Sequence, residues 1–259
     1  MFIDWEKLDM RYLSLAIAVA AYGLFAGTFA ALLLFMHDYF SPSWGAGVDV
    51  CSHDLLNHIG VDSALIVLFG LQHSIMARRS FKQRWTRIVP QHLERTAYVI
   101  ASSVALIVMM VYWHPIPMLV WEAGSVVMWW LSIAAGVMGV VIVLWSTFLT
   151  DHFELFGLRQ AYLHDRGIAW TPVPFKKAAL YNFVRHPMML GMLILLWVTP
   201  RMTQGHLVLA LGFTLYVLIG VYFEERDLRR ELGPEYESYR RSTPMLIPRL
   251  WPVAPNGAS

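Results

Sequence analysis

Cysteine is nearly absent from this chain. Cys51 is the single one in 259 residues, which excludes an intrachain disulfide, a thiolate cluster and an iron–sulfur site. Charge is scarce as well: Asp, Glu, Lys and Arg make up 15% of the residues, against 57% hydrophobic and a mean hydropathy of +0.50. That balance excludes a soluble domain and describes a polytopic membrane protein. The net charge of +2 brings no nucleic-acid partner with it, because there is no basic face on a folded polar domain and no nucleic-acid module. There is no His-Glu-x-x-His, and His53 and His58 are five apart rather than four, so a helical metal pair is missing. The ten histidines lie in loops or near the ends of apolar runs, which speaks against a bis-histidine haem. The start, Met1-Phe2-Ile3-Asp4-Trp5-Glu6, lacks the basic region and small-residue cleavage site of a signal peptide. No internal repeat is present, and no strand, Gly-rich loop and helix of the dinucleotide-binding type.

What the chain has in quantity is long apolar runs. Six can be read, roughly 12–36, 55–77, 96–113, 125–149, 179–199 and 206–223. A helix needs ~20 such residues to cross a bilayer. The last two form a hairpin turned over 200–205. Lys and Arg cluster in 77–96, in 150–186, in the tail from 224 and at Lys7 and Arg11. All but Arg201 of the 20 basic residues fall in these segments, while the loops 37–54 and 114–124 carry acids and no Lys or Arg. The positive-inside rule then places both termini and the basic segments in the cytoplasm. The expected fold is all-α: a polytopic integral membrane protein of one domain over residues 1–259. It has about six transmembrane helices, five being the other count the pattern permits, with a C-terminal helical hairpin and a cytosolic amphipathic tail. Gly23 and Gly27 form a small-xxx-small pair suited to close helix packing, or a chance pair in an Ala/Gly-rich helix. Asp62 stands inside the second run, where it caps a polar cavity or pairs with another helix. The end, 253–259, is expected to be disordered.

The other ionisable residues gather at the cytosolic ends of the runs. His73 lies near the end of the second, Glu94 and Arg95 open the third, and Asp151-His152-Phe153-Glu154 closes the fourth. Arg185-His186-Pro187-Met188-Met189-Leu190-Gly191 opens the fifth, and Glu224-Glu225 ends the sixth. A residue before proline is biased away from helix, while proline suits a first helical turn, so a helix is expected to start at Pro187. From Pro187 to Thr199 is 13 residues, about 20 Å of helix, short of a ~30 Å hydrocarbon core. Arg185 and His186 are therefore expected below the membrane surface in a protein-lined cavity, beside the free N–H groups of a helix start. Arg185 offers a planar fork for a carboxylate, and Glu224 or Glu225 a counter-charge for an ammonium. That set suits a small zwitterion. Interfacial anchors and a solvated helix end are the plainer alternative. The tail 228–241 is amphipathic, with Tyr236 and Tyr239 on one helical face, placed to stack on a purine, line a pocket or pack on the membrane surface.

Arg185-His186-Pro187, Gly191, the hairpin, Glu224-Glu225, Gly233, Tyr236, Tyr239 and the Pro-rich end together resemble the isoprenylcysteine carboxyl methyltransferase superfamily of integral-membrane methyltransferases. Met188 stands where that superfamily often has an aromatic residue. Gln72-His73-Ser74, Glu94-Arg95-Thr96-Ala97-Tyr98 and Asp151-His152-Phe153-Glu154-Leu155-Phe156-Gly157 resemble, more specifically, its membrane-bound methanethiol S-methyltransferases and their NnrU-like relatives, over about residues 65–250. The resemblance implies methyl transfer from S-adenosylmethionine to methanethiol, giving dimethyl sulfide, at the cytoplasmic face of a bacterial inner membrane. It implies a small thiol and the lipid bilayer as partners, and no metal, nucleic acid or obligate protein partner. It makes 12–149 the acceptor-side core of four helices and 179–250 the donor-binding hairpin and tail. Arg185, His186, Pro187, Met188, Gly191, Glu224, Glu225, Tyr236, Tyr239 and Arg240 would hold the donor. A thiolate is far more reactive than a thiol, so a base is expected beside the acceptor, with His152, Asp151, His73 and Tyr181 as candidates. Rival readings are the same fold acting on an isoprenylcysteine carboxylate, a phospholipid amine or another thiol, and a non-catalytic NnrU-like membrane protein or a small-molecule transporter. The last should show repeated halves or helices broken at mid-membrane, and neither is visible.

Overall fold

A computed structural model describes residues 5–36, 52–171 and 179–248. Cys51, Lys176, Lys177 and the end over 253–259 lie outside the described residues. The helices, in chain order, are α1 (Trp5–Leu34), α2 (Ser52–Ala77), α3 (Arg79–Trp85), α4 (Glu94–Tyr112), α5 (Val126–Leu149), α6 (His152–Leu155), α7 (Leu158–Asp165), α8 (Pro187–Trp197), α9 (Gln204–Leu232) and α10 (Pro234–Ser242). Among the described residues, five of them (α1, α2, α4, α5 and α9) are long and apolar enough to cross a membrane. The run expected as a fifth crossing is instead the 11-residue α8, which starts at Pro187 as the proline rule requires. A two-stranded antiparallel ribbon, β1 (Leu119–Glu122) with β2 (Arg201–Thr203), is an addition to the all-α expectation; Leu119 faces Thr203 and Glu122 faces Arg201.

The chain divides into two compact units: Met1–Ala123, Asp151–Pro174 and Arg201–Phe213 form the first, and Gly124–Thr150, Phe175–Pro200 and Thr214–Ser259 the second. In the first, α1 buries Ser14, Ala18, Ala21 and Thr28 while Leu13, Ile17 and Val19 face outward. On α4 the buried set is Thr96, Val99, Ser103 and Met109. On α1 small and weakly polar residues point in and large apolar ones point out, the arrangement expected where the surroundings are lipid and close backbone approach drives packing, whereas α4 also buries Val99 and Met109. Phe69 and Phe213 pack with ring centroids 5.6 Å apart.

Asp62 is fully buried in this unit, and its Oδ1 accepts a hydrogen bond from the His114 backbone N–H at 2.9 Å. That N–H lies just past the end of α4 and just before Pro115, where no helical carbonyl can take it. The ring of His114 stacks on that of His58, centroids 4.8 Å apart. Asp62 therefore pins the exit of α4 to α2. Asp62→Leu leaves a buried N–H without an acceptor and is expected to cost about 1–3 kcal/mol. Asp62→Asn keeps a carbonyl oxygen and should retain most of the stability. Thermal unfolding in detergent separates the two, and equal melting of Asp62→Leu and the unmodified protein would refute the role.

In the second unit α5 crosses α8 at two glycines. A Cβ on Gly191 would lie 2.8 Å from the Gly139 carbonyl oxygen, and one on Gly139 would lie 2.9 Å from that of Gly191. The backbones touch, and a methyl fits at neither position. Of the two readings of Gly23 and Gly27, the chance pair fits, since a Cβ at either meets nothing within 4 Å among the described residues. Trp197 Nε1 donates to Thr214 Oγ1 at 2.8 Å, closing the hairpin of α8 and α9. α9 does not stop near 223 but continues through Glu224 and Glu225 to Leu232, where Gly233 (φ 54°) breaks it and Pro234 opens α10.

Candidate functional site

Among the described residues, a cluster of ionisable side chains stands in each unit. That of the first unit is built on two sharp backbone turns. Asp151 adopts a left-handed conformation (φ 71°) and caps α6, its Oδ1 accepting from Glu154 N–H at 3.0 Å. Gly157 (φ 85°) ends the same turn, where a Cβ would lie 2.8 Å from Thr96 N, so a side chain there would collide with the start of α4. Between these turns His152 is directed inward and buried. Its Nε2 lies 2.8 Å from the Tyr22 hydroxyl of α1, and the ring of Phe156 meets its edge at 4.8 Å. Burial pulls the His152 pKa below the ordinary imidazole value, against the opposing charge of Asp151. The ring is therefore neutral at pH 7 and can accept a proton.

The neighbouring candidates are occupied otherwise. Asp151 spends one oxygen on its cap and has the other 3.9 Å from Arg159 Nε. Glu154 accepts from Arg159, Gln160 and Trp170 at 2.9, 2.7 and 3.0 Å, which organises the segment that follows. His73 of α2 has Nδ1 3.1 Å from Ser102 Oγ and Nε2 2.6 Å from the Tyr98 hydroxyl, so its ring braces α2 against α4. The sequence also gave no warning of His92 and His164, whose rings stack at 3.6 Å and 7°.

The second unit gathers Tyr181, Arg185, His186, Glu224, Glu225, Tyr236, Tyr239 and Arg240. The tail runs back beside the residues preceding α8: Arg185 N–H donates to Pro244 O at 2.9 Å and His186 N–H to Met245 O at 3.2 Å. Glu225 is the buried hub. Its Oε1 accepts from Arg185 Nε at 2.6 Å and lies 3.1 Å from His186 Nε2, and its Oε2 accepts from Arg240 Nε at 3.2 Å. Arg185 Nη1 donates to the carbonyls of Arg240 and Thr243 at 3.2 and 2.6 Å. Arg185 thus uses its Nε on Glu225 and its Nη1 on the tail carbonyls. Half-exposed Glu224 has a carboxylate oxygen 3.5 Å from His186 Nδ1. Burial would lower the His186 pKa, but the two carboxylates outweigh it and hold the ring above its ordinary value. Tyr236 and Tyr239 are buried, their rings 5.9 Å apart, and the Tyr239 hydroxyl donates to the Tyr181 carbonyl at 2.7 Å. Burial and the charge of Glu224 push Tyr181 up to about 12, so it stays protonated at neutral pH. Pro187 is buried in the first turn of α8, Met188 is half-buried beside it, and Gly191 faces Gly139. No group of three or more His, Cys, Asp or Glu able to hold a metal occurs among the described residues.

A family model described as NnrU protein matches residues 63–254. The chain belongs to the NnrU family. This NnrU-family chain is 42% identical over 250 residues to the methanethiol S-methyltransferase of Mycobacterium tuberculosis, covering 93% of this chain and 98% of that protein. It is also 42% identical over 242 residues to methanethiol S-methyltransferase 2 of Bradyrhizobium diazoefficiens, with 93% and 92% covered. Rat nurim is 35% identical over 185 residues, with 68% of this chain and 70% of nurim covered. No solved structure matches it. Both clusters of the NnrU-family chain draw on residues within the matched segment; Tyr22 lies outside it.

Proposed function

We propose that the chain transfers a methyl group from S-adenosylmethionine to methanethiol, forming dimethyl sulfide, in a bacterial inner membrane with its basic segments facing the cytoplasm. The observation that carries this reading is the near-full-length likeness to proteins named for that activity. The second unit suits the donor. The half-exposed Glu224 carboxylate beside His186 offers a counter-charge and hydrogen-bond acceptors, and the first turn of α8 offers the Met188 and Met189 N–H groups to an anion. Arg185, Glu225 and Arg240 form the frame, with Tyr181, Tyr236 and Tyr239 packed around it. When bound, the donor supplies an electrophilic methyl on a sulfonium sulfur.

His152 is the group assigned to the acceptor. A thiol is mostly protonated at neutral pH, and the thiolate is the nucleophile. A buried neutral imidazole can take the S–H proton and leave the sulfur charged where water is scarce. Asp151 sets the turn that carries it, and His73 supports the neighbouring helix pair. Purified protein in nanodiscs, given donor labelled in its methyl group and a panel of thiols, should release labelled dimethyl sulfide from methanethiol. Transfer only to bulkier thiols would move the acceptor assignment. Failure to bind the donor at all would end the enzyme reading.

A further inference from the structure

Tyr22 is an unusual residue for its helix. It sits among Ala and Gly on α1, ten residues past the start of the Tyr12–Leu34 span, about 15 Å along the axis. Its ring meets the edges of His152 at 5.6 Å and Phe156 at 5.8 Å, and Phe25, one turn on, lies nearly flat on Phe156 at 4.0 Å. Its hydroxyl and His152 Nε2 are 2.8 Å apart. Among the described residues no second partner engages that hydroxyl, so its oxygen lone pairs are open to a donor.

We infer that Tyr22 and His152 work as one proton-accepting pair, with the phenol oxygen of Tyr22 meeting the acceptor thiol. The inference rests on the reading of His152 as the group that takes the thiol's proton. A phenol O–H is a better donor than an imidazole N–H, and a neutral imidazole has one accepting nitrogen. The hydroxyl therefore donates to Nε2, and the ring proton sits on Nδ1. As the thiol approaches, its S–H bond breaks and the proton passes to the phenol oxygen. The phenol's own proton passes to Nε2. Tyr22 ends as it began, neutral and protonated; His152 becomes imidazolium and the sulfur a thiolate. Charge is created in a matched pair rather than singly, which matters at membrane depth where an isolated ion is costly. The rings of Phe25, Phe153 and Phe156 stand around the pair. Among the described residues, ionisable groups near His152 include Tyr22 from α1 and Asp151 on its own turn, with Arg159 of α7 beside that carboxylate.

Tyr22→Phe keeps the ring and its packing and removes one oxygen. In the full-length protein it is expected to lower kcat about 100-fold at neutral pH, the scale of a lost acid–base group, with the KM for the donor unchanged. The defect should shrink as the pH is raised toward the thiol's own pKa, where the thiolate forms without help. Nitrogen NMR of labelled histidine, with the His152 signal identified by His152→Gln, should show the Nδ1–H tautomer in the unmodified protein and a mixture in Tyr22→Phe. Unchanged kcat at neutral pH overturns the pair. So does a loss of the same size at every pH with an unaltered tautomer, which would mark Tyr22 as packing alone. If the unmodified protein methylates no thiol, the enzymatic reading fails by itself and the tautomer comparison still decides the pairing: the same tautomer in both proteins overturns it.

Discussion

Glu225→Ala is expected to destabilise the protein by about 3–5 kcal/mol, the cost of removing one partner from a buried ionic cluster. Both carboxylate oxygens are engaged, one by Arg185 and His186 and the other by Arg240. Truncation leaves the nearly buried Arg185 without its carboxylate partner and the buried His186 with only the half-exposed Glu224 at 3.5 Å. Glu225→Gln keeps the shape and one acceptor oxygen, so its loss should be smaller. The cluster also gives stability a pH dependence of definite sign. His186 has a folded-state pKa above its unperturbed 6.5, held there against burial by Glu224 and Glu225. Its contribution is complete below the unfolded pKa and is lost as pH rises through the raised folded value. Thermal unfolding of the unmodified protein should therefore fall on going from mildly acidic to alkaline pH, and Glu225→Gln should flatten that slope. An unchanged slope would show that His186 does not draw its charge from this carboxylate.

His152→Gln is expected to lower methyl transfer to methanethiol about 1000-fold at neutral pH, within the range for a lost general base, with donor affinity kept. None of the other three base candidates can replace the imidazole. Asp151 is committed to the cap of α6, both ring nitrogens of His73 are engaged by Ser102 and Tyr98, and Tyr181 is held protonated. Activity should recover as pH rises toward the thiol's pKa. Asp151→Asn keeps a cap acceptor and should retain most of the activity, which separates the neighbours. Near-normal turnover by His152→Gln across the pH range would remove the base assignment. Release of dimethyl sulfide measured at several pH values decides both.

The parts of this molecule legible in its sequence are those governed by local rules. Pro187 marked the start of α8 because the proline ring permits a first turn and disfavours helix before it. Apolar run length located α1, α2, α4 and α5 to within a few residues, save for the start of α1, which runs back to Trp5. The end of α9 was hidden because its last two turns, rich in Glu and Arg, read as a solvated segment, although side chains of that kind carry a helix beyond the bilayer without strain. The ribbon of Leu119–Glu122 with Arg201–Thr203 pairs strands of four and three residues some eighty positions apart, too short for any periodicity to register. Arg185 was rightly placed with Glu225, but composition cannot say whether a guanidinium faces a ligand or a carbonyl, and here it faces Thr243 O. Tyr22 carried no signal at all. A tyrosine in an Ala-rich apolar helix gains meaning only when Asp151 and Gly157 turn His152 toward it. The helix-packing glycines were sought at Gly23 and Gly27 by spacing, yet the pair that touches, Gly139 with Gly191, lies on different helices and has no spacing to read.

The return of the tail onto the start of α8 has a consequence for the order in which the protein matures. Arg185 and His186 are made early relative to their partners: Glu225 follows 40 residues after Arg185, and the Thr243, Pro244 and Met245 carbonyls come later still. A nascent chain with α8 already inserted therefore carries an unneutralised guanidinium until Glu225 has been made, and its tail carbonyl partners come only by Met245. The ion cluster of the second unit therefore closes only after Met245 has been made, and a chain broken off between Leu232 and that point would carry α9 but lack the latch over Glu225.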